Sequence, residues 1–139
     1  MSTERIDRVD GWIDTRRRPL INLRVRDDRL VCTLVDTGFN GYLLWESRPD
    51  DLLDFPGELS TLYESVEVAG GTILANLAVA HIKWFGPGDA YAAVETLVGI
   101  SARERGGGDP AALLGTALLS GLILVADFLN ATLHIERST

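Results

Sequence analysis

The 139-residue sequence has little cysteine and no apolar run long enough to cross a bilayer. Cys32 is the only cysteine, so no disulfide can form within the chain, and we expect a reducing, cytoplasmic location. The most apolar stretch, residues 111–126, contains two glycines and falls short of the ~20 residues that span a membrane. The first residues, MSTERIDRVDG, are charged and contain no apolar segment typical of a secretory signal. We therefore expect a soluble protein with no membrane partner.

A surplus of basic charge is also missing. The net charge is −7, which argues against a nucleic-acid partner, because Lys and Arg neutralise the phosphates in such complexes. Residues 1–30 hold eight of the 13 Lys and Arg and six of the 20 Asp and Glu, which leaves five bases against 14 acids in the rest. The triplet Arg16–Arg18 in this basic end is best interpreted as a solvated turn between strands.

Residues that bind metals or phosphates are scarce too. His81 and His134 are 53 positions apart, and neither has a Cys or acidic cluster at ligand spacing. The glycine-rich stretch RGGGDP at 105–110 lacks the G-K-[ST] ending of a phosphate-binding loop. Ser120 lacks the G-x-S-x-G context of a nucleophilic serine. The sequence therefore predicts no metal site, no cofactor and no serine-type catalysis.

What the sequence does contain is a succession of short apolar or alternating runs separated by turn residues. This pattern predicts an all-β domain of about nine strands over residues 10–139, after a charged tail at residues 1–9. Paired glycines at 70–71 predict a tight hairpin between two long strands, and a second hairpin is expected around 129–131. The stretch AALLGTALLSGL suits one short α-helix near residues 115–121.

One stretch, LVDTGFNGYLLW at residues 34–45, drives an apolar strand directly into Asp36. A carboxylate at the buried end of a strand costs free energy unless it is hydrogen-bonded or used. In a plain turn, the Asp side chain would cap its own backbone. In a catalytic site, the N–H of Gly38 and the hydroxyl of Thr37 would orient the carboxylate.

LVDTGFNGYLLW resembles the active-site loop of the retropepsin-like (clan AA) aspartic peptidases, in their small single-domain prokaryotic branch. The Gly-Gly hairpin resembles the flap of that family, and ALLGTALLSGLILVADF resembles its apolar-apolar-Gly segment, short helix and closing strand. The resemblance covers residues 10–136 and implies a closed β barrel. The chain has one Asp-Thr-Gly, and an echo at 113–115 has Leu114 in place of the acid. The resemblance therefore implies a homodimer in which each subunit contributes Asp36.

The function implied is an aspartic endopeptidase that hydrolyses peptide or protein substrates. The residues implied as catalytic are Asp36, Thr37 and Gly38, with Thr37 interlocking with its mate across the dimer. The residues implied as substrate-binding are Phe39, Asn40, Ala69, Gly70, Gly71 and Thr72. Leu43, Trp45 and Leu74 fit either subsite walls or core positions. Phe39 departs from the family pattern, since many relatives carry Ser or Thr directly after Asp-Thr-Gly.

Three other interpretations remain open at this point. The chain fits a catalytically inactive retropepsin-fold dimer that binds extended peptides. A strand that ends in D-x-G also resembles the phosphate loop of sugar-kinase and actin-like ATPases, although those proteins need two α/β domains and several hundred residues. The third interpretation is a β domain whose Asp36 is a structural turn residue.

Overall fold

The computed structural model describes residues 7–47, 57–68, 71–85, 91–100 and 110–137. Their regular structure consists of ten strands and one short 3-10 helix at Arg26–Asp28. The strands are β1 (Arg8–Ile13), β2 (Pro19–Arg24), β3 (Leu30–Val35), β4 (Leu43–Ser47), β5 (Gly57–Val68), β6 (Gly71–Ile82), β7 (Ala92–Ile100), β8 (Ala112–Leu114), β9 (Leu122–Asp127) and β10 (Thr132–Arg137). The predicted all-β class is confirmed.

All ten strands belong to one mixed sheet, in the order β5-β6-β7-β4-β8-β3-β2-β1-β10-β9. Two pairs, β3 with β8 and β4 with β7, are parallel, and the other pairs are antiparallel. The order has two ends, β5 and β9, so the described strands form an open sheet. The short β8 lies between β3 and β4, which the chain reaches long before β8.

The sheet curls strongly. Val25, which directly follows β2, forms an isolated antiparallel bridge with Ile82 at the end of β6, although β2 and β6 are five positions apart in the strand order. A further backbone hydrogen bond of 3.0 Å, from the Lys83 N–H to the Arg24 carbonyl, supports the same approach. This curl gives the sheet a concave side.

The main hydrophobic core contains residues from eight of the ten strands. Buried residues alternate along β10 and in the second half of β2, as the geometry of a strand predicts: Leu23 is buried between two exposed residues, and Leu133 and Ile135 flank the half-buried His134. The fully buried large side chains include Ile21, Leu23, Leu43, Ile82, Leu114, Leu133 and Ile135. A smaller cluster of Phe39, Leu44 and Ala75 is joined by the partly buried Leu97 and Leu113.

The α-helix predicted near residues 115–121 is absent. Residues 112–114, just before it, form β8, a tenth strand that the sequence patterns did not predict, and residues 116–121 form a run of turns. Backbone N–H groups there bond to carbonyls three residues earlier, as from Leu118 to Gly115 at 3.2 Å and from Leu119 to Thr116 at 3.1 Å. The run ends at Gly121, whose φ of 79° suits glycine and cannot continue a right-handed helix.

The two predicted hairpins are present as antiparallel pairs: β5 with β6, and β9 with β10. Strand β1 begins at Arg8, so Arg8 and Val9 belong to the sheet although the tail was expected to extend to residue 9. In the part of the chain that the structure describes, no helix has the length and apolar character needed to cross a membrane.

Candidate functional site

Asp36 begins a loop that we call the Asp loop (residues 36–42), which connects β3 to β4. Both strands pair with β8: β3 runs parallel to it and β4 antiparallel. The Asp loop therefore passes around the carboxyl end of β8. It meets the segment that leaves this strand, which we call the 115–121 turn.

Backbone hydrogen bonds hold the Asp loop to β8 and the 115–121 turn. There are four such bonds: from the Asp36 N–H to the Leu114 carbonyl (2.9 Å), from Gly115 to Tyr42 (2.9 Å), from Thr116 to Phe39 (2.8 Å) and from Ala117 to Gly41 (3.2 Å). The Thr116 hydroxyl also donates to the Phe39 carbonyl at 3.4 Å. The Asp loop is thus anchored along its length by residues that lie about 75 positions away in the sequence.

Gly115 sits against the Asp loop more closely than any other residue type allows. A Cβ built there would lie 2.2 Å from the Gly41 carbonyl oxygen and 2.6 Å from that of Phe39. Real Cβ atoms do not approach backbone oxygens at such distances, so a side chain at this position would displace the loop.

The carboxylate of Asp36 is half-buried, and one of its oxygens is held within the loop. The Gly38 N–H donates to Oδ1 at 2.9 Å, and the Phe39 N–H donates to the Asp36 main-chain carbonyl at 3.1 Å. Thr37, Gly38 and Asn40 are exposed around it. A carboxylate oriented in this way, at an open surface, can accept a proton or a hydrogen bond from a group that approaches from outside the chain.

Phe39 lies inside the protein, although the resemblance places it among the substrate-binding residues. Its side chain is buried with Leu44 and Ala75. Its ring also passes close to two glycines, since a Cβ on Gly41 or Gly115 would come within 3 Å of ring atoms. The Phe39 ring therefore packs the Asp loop against β6, the second strand of the hairpin that β5 and β6 form.

The hairpin of β5 and β6 is described only in part. Ala69 and Gly70 lie outside the described residues, whereas Gly71 and Thr72 begin β6 and pair with Val68 and Glu67. Thr72 is exposed. Of the three residues that fitted either subsite walls or the core, Leu43 and Trp45 are buried and Leu74 is 59% exposed.

In the part of the chain that the structure describes, the segment ALLGTA, whose sequence is similar to TLVDTG, supplies no second acid. The parallel register pairs Val35 with Leu114, so the next residues along the two strands are Asp36 and Gly115. Gly115, and not Leu114, therefore occupies the position equivalent to the acid. The contacts of Gly115 leave no room there for a carboxylate.

Among the described residues, no three His, Cys, Asp or Glu side chains lie close enough together to hold a metal ion. His134 Nε2 lies 3.3 Å from Glu136 Oε2, and Cys32 is half-buried on β3.

Sequence reasoning missed the roles of Gly41, Gly115 and Thr116 in supporting the Asp loop. The echo between TLVDTG and ALLGTA was the available signal, since the two segments turn out to be adjacent parallel strands. A scan against models of protein families finds no match to this chain, and a search of curated proteins finds none either.

Proposed function

We propose that this chain is an aspartic endopeptidase with a retropepsin-like fold, active as a homodimer in which each subunit contributes Asp36. The observation that carries the proposal is the Asp loop itself. Its carboxylate is oriented by the Gly38 N–H, and its backbone is held by the 115–121 turn, which follows β8, the strand parallel to β3. Catalysis requires such rigid support for the reacting group.

The closed barrel is part of this proposal. The bridge between Val25 and Ile82 supports it, because it brings the residue that follows β2 to the end of β6, although these two strands are five positions apart in an otherwise open order. The single cysteine supports a cytoplasmic location, where thiols stay reduced.

A second chain is needed because Asp36 has no acidic counterpart on the equivalent strand. Two carboxylates about 3 Å apart, at an effective dielectric constant of roughly 20, repel by roughly 5 kcal/mol when both are ionised. The pair would therefore hold one proton between its two members.

In the proposed mechanism the two carboxylates hold a water molecule between them. The ionised Asp36 takes a proton from the water as the water oxygen attacks the peptide carbonyl carbon. The protonated Asp36 of the other subunit donates its proton to the carbonyl oxygen. The Asp36 that took the proton from water then gives it to the amide nitrogen as the C–N bond breaks, and the other Asp36 takes back a proton from a hydroxyl of the tetrahedral intermediate as its carbonyl forms again. Thr37 would interlock with its mate, and Asn40 and the carbonyl of Gly38 would bind the substrate backbone. Residues 69–72 would close over an extended peptide, and the peptide would pair with them as an additional strand.

The test compares the wild-type chain with Asp36→Asn on an unfolded protein substrate from about pH 4 to pH 7, the range in which carboxyl pairs change protonation state. Asp10→Asn is the matched control, because it makes the same chemical change at an exposed residue of β1. We expect cleavage by the wild type and by the control, none by Asp36→Asn, and a rate that falls more steeply than linearly on dilution. Undiminished cleavage by Asp36→Asn would refute the proposal.

One observation favours a second candidate, an inactive dimer that binds extended peptides. The residue after Gly38 is Phe39, whose buried side chain offers no hydroxyl to the carboxylate. A folded wild-type dimer that binds an extended peptide, as measured by fluorescence anisotropy, but cleaves no substrate at any pH would establish this candidate instead.

A further inference from the structure

Strand β9 (Leu122–Asp127) forms one of the two ends of the sheet. Its inner side pairs with β10 through six consecutive residue pairs, from Leu122 with Arg137 to Asp127 with Thr132. No strand in the described ranges pairs with its outer side. The Leu122 N–H donates to the Leu119 carbonyl at 2.9 Å, and among the described residues the outward backbone groups of Leu124 and Ala126 are available to another strand.

The two edge strands, β5 and β9, differ in the features that prevent an edge strand from pairing with a strand of another chain. Strand β5, at the other end, contains Glu58, Glu64 and Glu67, and its pairing with β6 shifts register between Leu59 and Tyr63. Charges and register irregularities of this kind prevent edge strands from pairing with other chains. Strand β9 has an unbroken register and a single charge, Asp127 at its last position, whereas residues 122–126 are uncharged.

Exposed apolar side chains are concentrated along β9 and just beyond it. Eight large apolar residues are exposed among those described, and four of these lie within residues 123–129. Their exposed fractions are 43% for Ile123, 39% for Val125, 59% for Phe128 and 90% for Leu129. Such a concentration on one edge is typical of an interaction surface.

The turn that carries two of these residues is held in place by Asp127. Its Oδ1 accepts hydrogen bonds from the N–H groups of Leu129 (3.0 Å) and Asn130 (3.1 Å), and its Oδ2 accepts one from the Asn130 side-chain amide (2.8 Å). Phe128 and Leu129 are therefore exposed on an ordered turn. An ordered apolar turn loses little conformational entropy when it binds a partner.

We propose that β9 pairs antiparallel with β9 of a second copy of this chain and continues the sheet across a two-fold axis. The choice of a second copy rests on the proposed function, which needs two chains. It also rests on the self-complementarity of the strand. If the axis passes through Leu124, Ile123 lies opposite Val125 of the second copy and the reverse, on one face of the sheet. The one charge, Asp127, then lies opposite Gly121 of the second copy and meets no like charge.

The first experiment measures the dimer dissociation constant by analytical ultracentrifugation for the wild type and Val125→Lys. Val79→Lys is the matched control, because Val79 is 37% exposed on β6, which has strands on both sides. We expect a wild-type dimer, a dissociation constant at least about tenfold higher for Val125→Lys because two Lys would be desolvated at the interface, and no change for Val79→Lys.

A second measurement uses only the wild type and so does not depend on the variant folding. Amide hydrogen exchange in β9 should slow as the protein concentration rises through the dissociation constant. Circular dichroism is used to check that Val125→Lys is folded. An unchanged dissociation constant in folded Val125→Lys, an equal effect of Val79→Lys, or β9 exchange that does not depend on concentration would overturn the inference.

Cleavage assays on the same samples separate this inference from the proposed function. A dimer that cleaves and is unaffected by Val125→Lys overturns the β9 interface and leaves the peptidase proposal standing. A dimer that dissociates through Val125→Lys but never cleaves supports the interface and refutes the peptidase proposal. A wild-type monomer in which Val125→Lys abolishes binding of an extended peptide also overturns the inference, because the edge would then receive a peptide.

Discussion

Replacement of Gly115 by Ala should disrupt the support of the Asp loop. The new Cβ would lie 2.2 Å from the Gly41 carbonyl oxygen, which is more than about 1 Å shorter than an ordinary contact. Overpacking of this kind costs roughly 1–3 kcal/mol. Movement of the loop would also weaken the bonds donated by Gly115, Thr116 and Ala117, each worth about 1 kcal/mol. We therefore expect the free energy of unfolding to fall by about 1–3 kcal/mol from the clash alone, and by up to about 6 kcal/mol if all three bonds are lost.

Urea unfolding measures this loss, and Gly121→Ala provides the control. A Cβ on Gly121 would meet no atom within 4 Å, but the φ of 79° imposes strain on any L residue, of about 1–2 kcal/mol. The control thus has backbone strain without a clash, whereas Gly115→Ala has a clash. If Gly115→Ala cost less than about 1 kcal/mol, or no more than Gly121→Ala, the close packing of the Asp loop against Gly115 would be refuted.

Three further predictions concern other residues. Phe39→Ala should lower the free energy of unfolding by about 3 kcal/mol, because it empties the space beside the Asp loop; urea unfolding within 1 kcal/mol of the wild type would contradict this burial. Hydrogen bonds from the Arg18 backbone and side chain lower the pKa of Asp14 below its ordinary 3.8, so its contribution to stability is complete above about pH 4 and is lost as the pH falls further. Asp14→Asn should therefore flatten the acid side of a stability-against-pH curve, and an unaltered curve would count against the ion pair. Burial raises the pKa of the Cys32 thiol, opposed by the charge of Arg18, so iodoacetamide should modify it more slowly in the folded chain at pH 8 than in urea; equal rates would show that the thiol is not shielded.

The strands and hairpins were predictable because their signals are local. The run PLINLRV indicated β2, RLVCTLV indicated β3, and the Gly-Gly pair indicated the turn between β5 and β6. Each of these depends on alternation or on turn residues within about ten positions of the sequence. For the same reason Asp36 was correctly expected at the end of an apolar strand.

The predicted helix does not form, because the backbone groups of this segment bond to parts of the chain that are distant in the sequence. The spacing of apolar residues in AALLGTALLSGL fits a helix, but β8 pairs with β3 and β4, and the first N–H groups of the 115–121 turn bond to the Asp loop. Those bonds join residues about 75 positions apart. Long-range pairing thus overrode the local preference.

The amino-acid sequence by itself determined the all-β class, the positions of most strands and the placing of Asp36 at the end of one of them. The tertiary structure alone decided which segment supports that residue, that Phe39 points inward, and that β5 and β9 are the two edges of the sheet. The physical reason is that a strand and a turn follow from neighbouring residues, whereas the burial of Phe39 and the close contacts of Gly115 depend on residues brought together from distant parts of the chain.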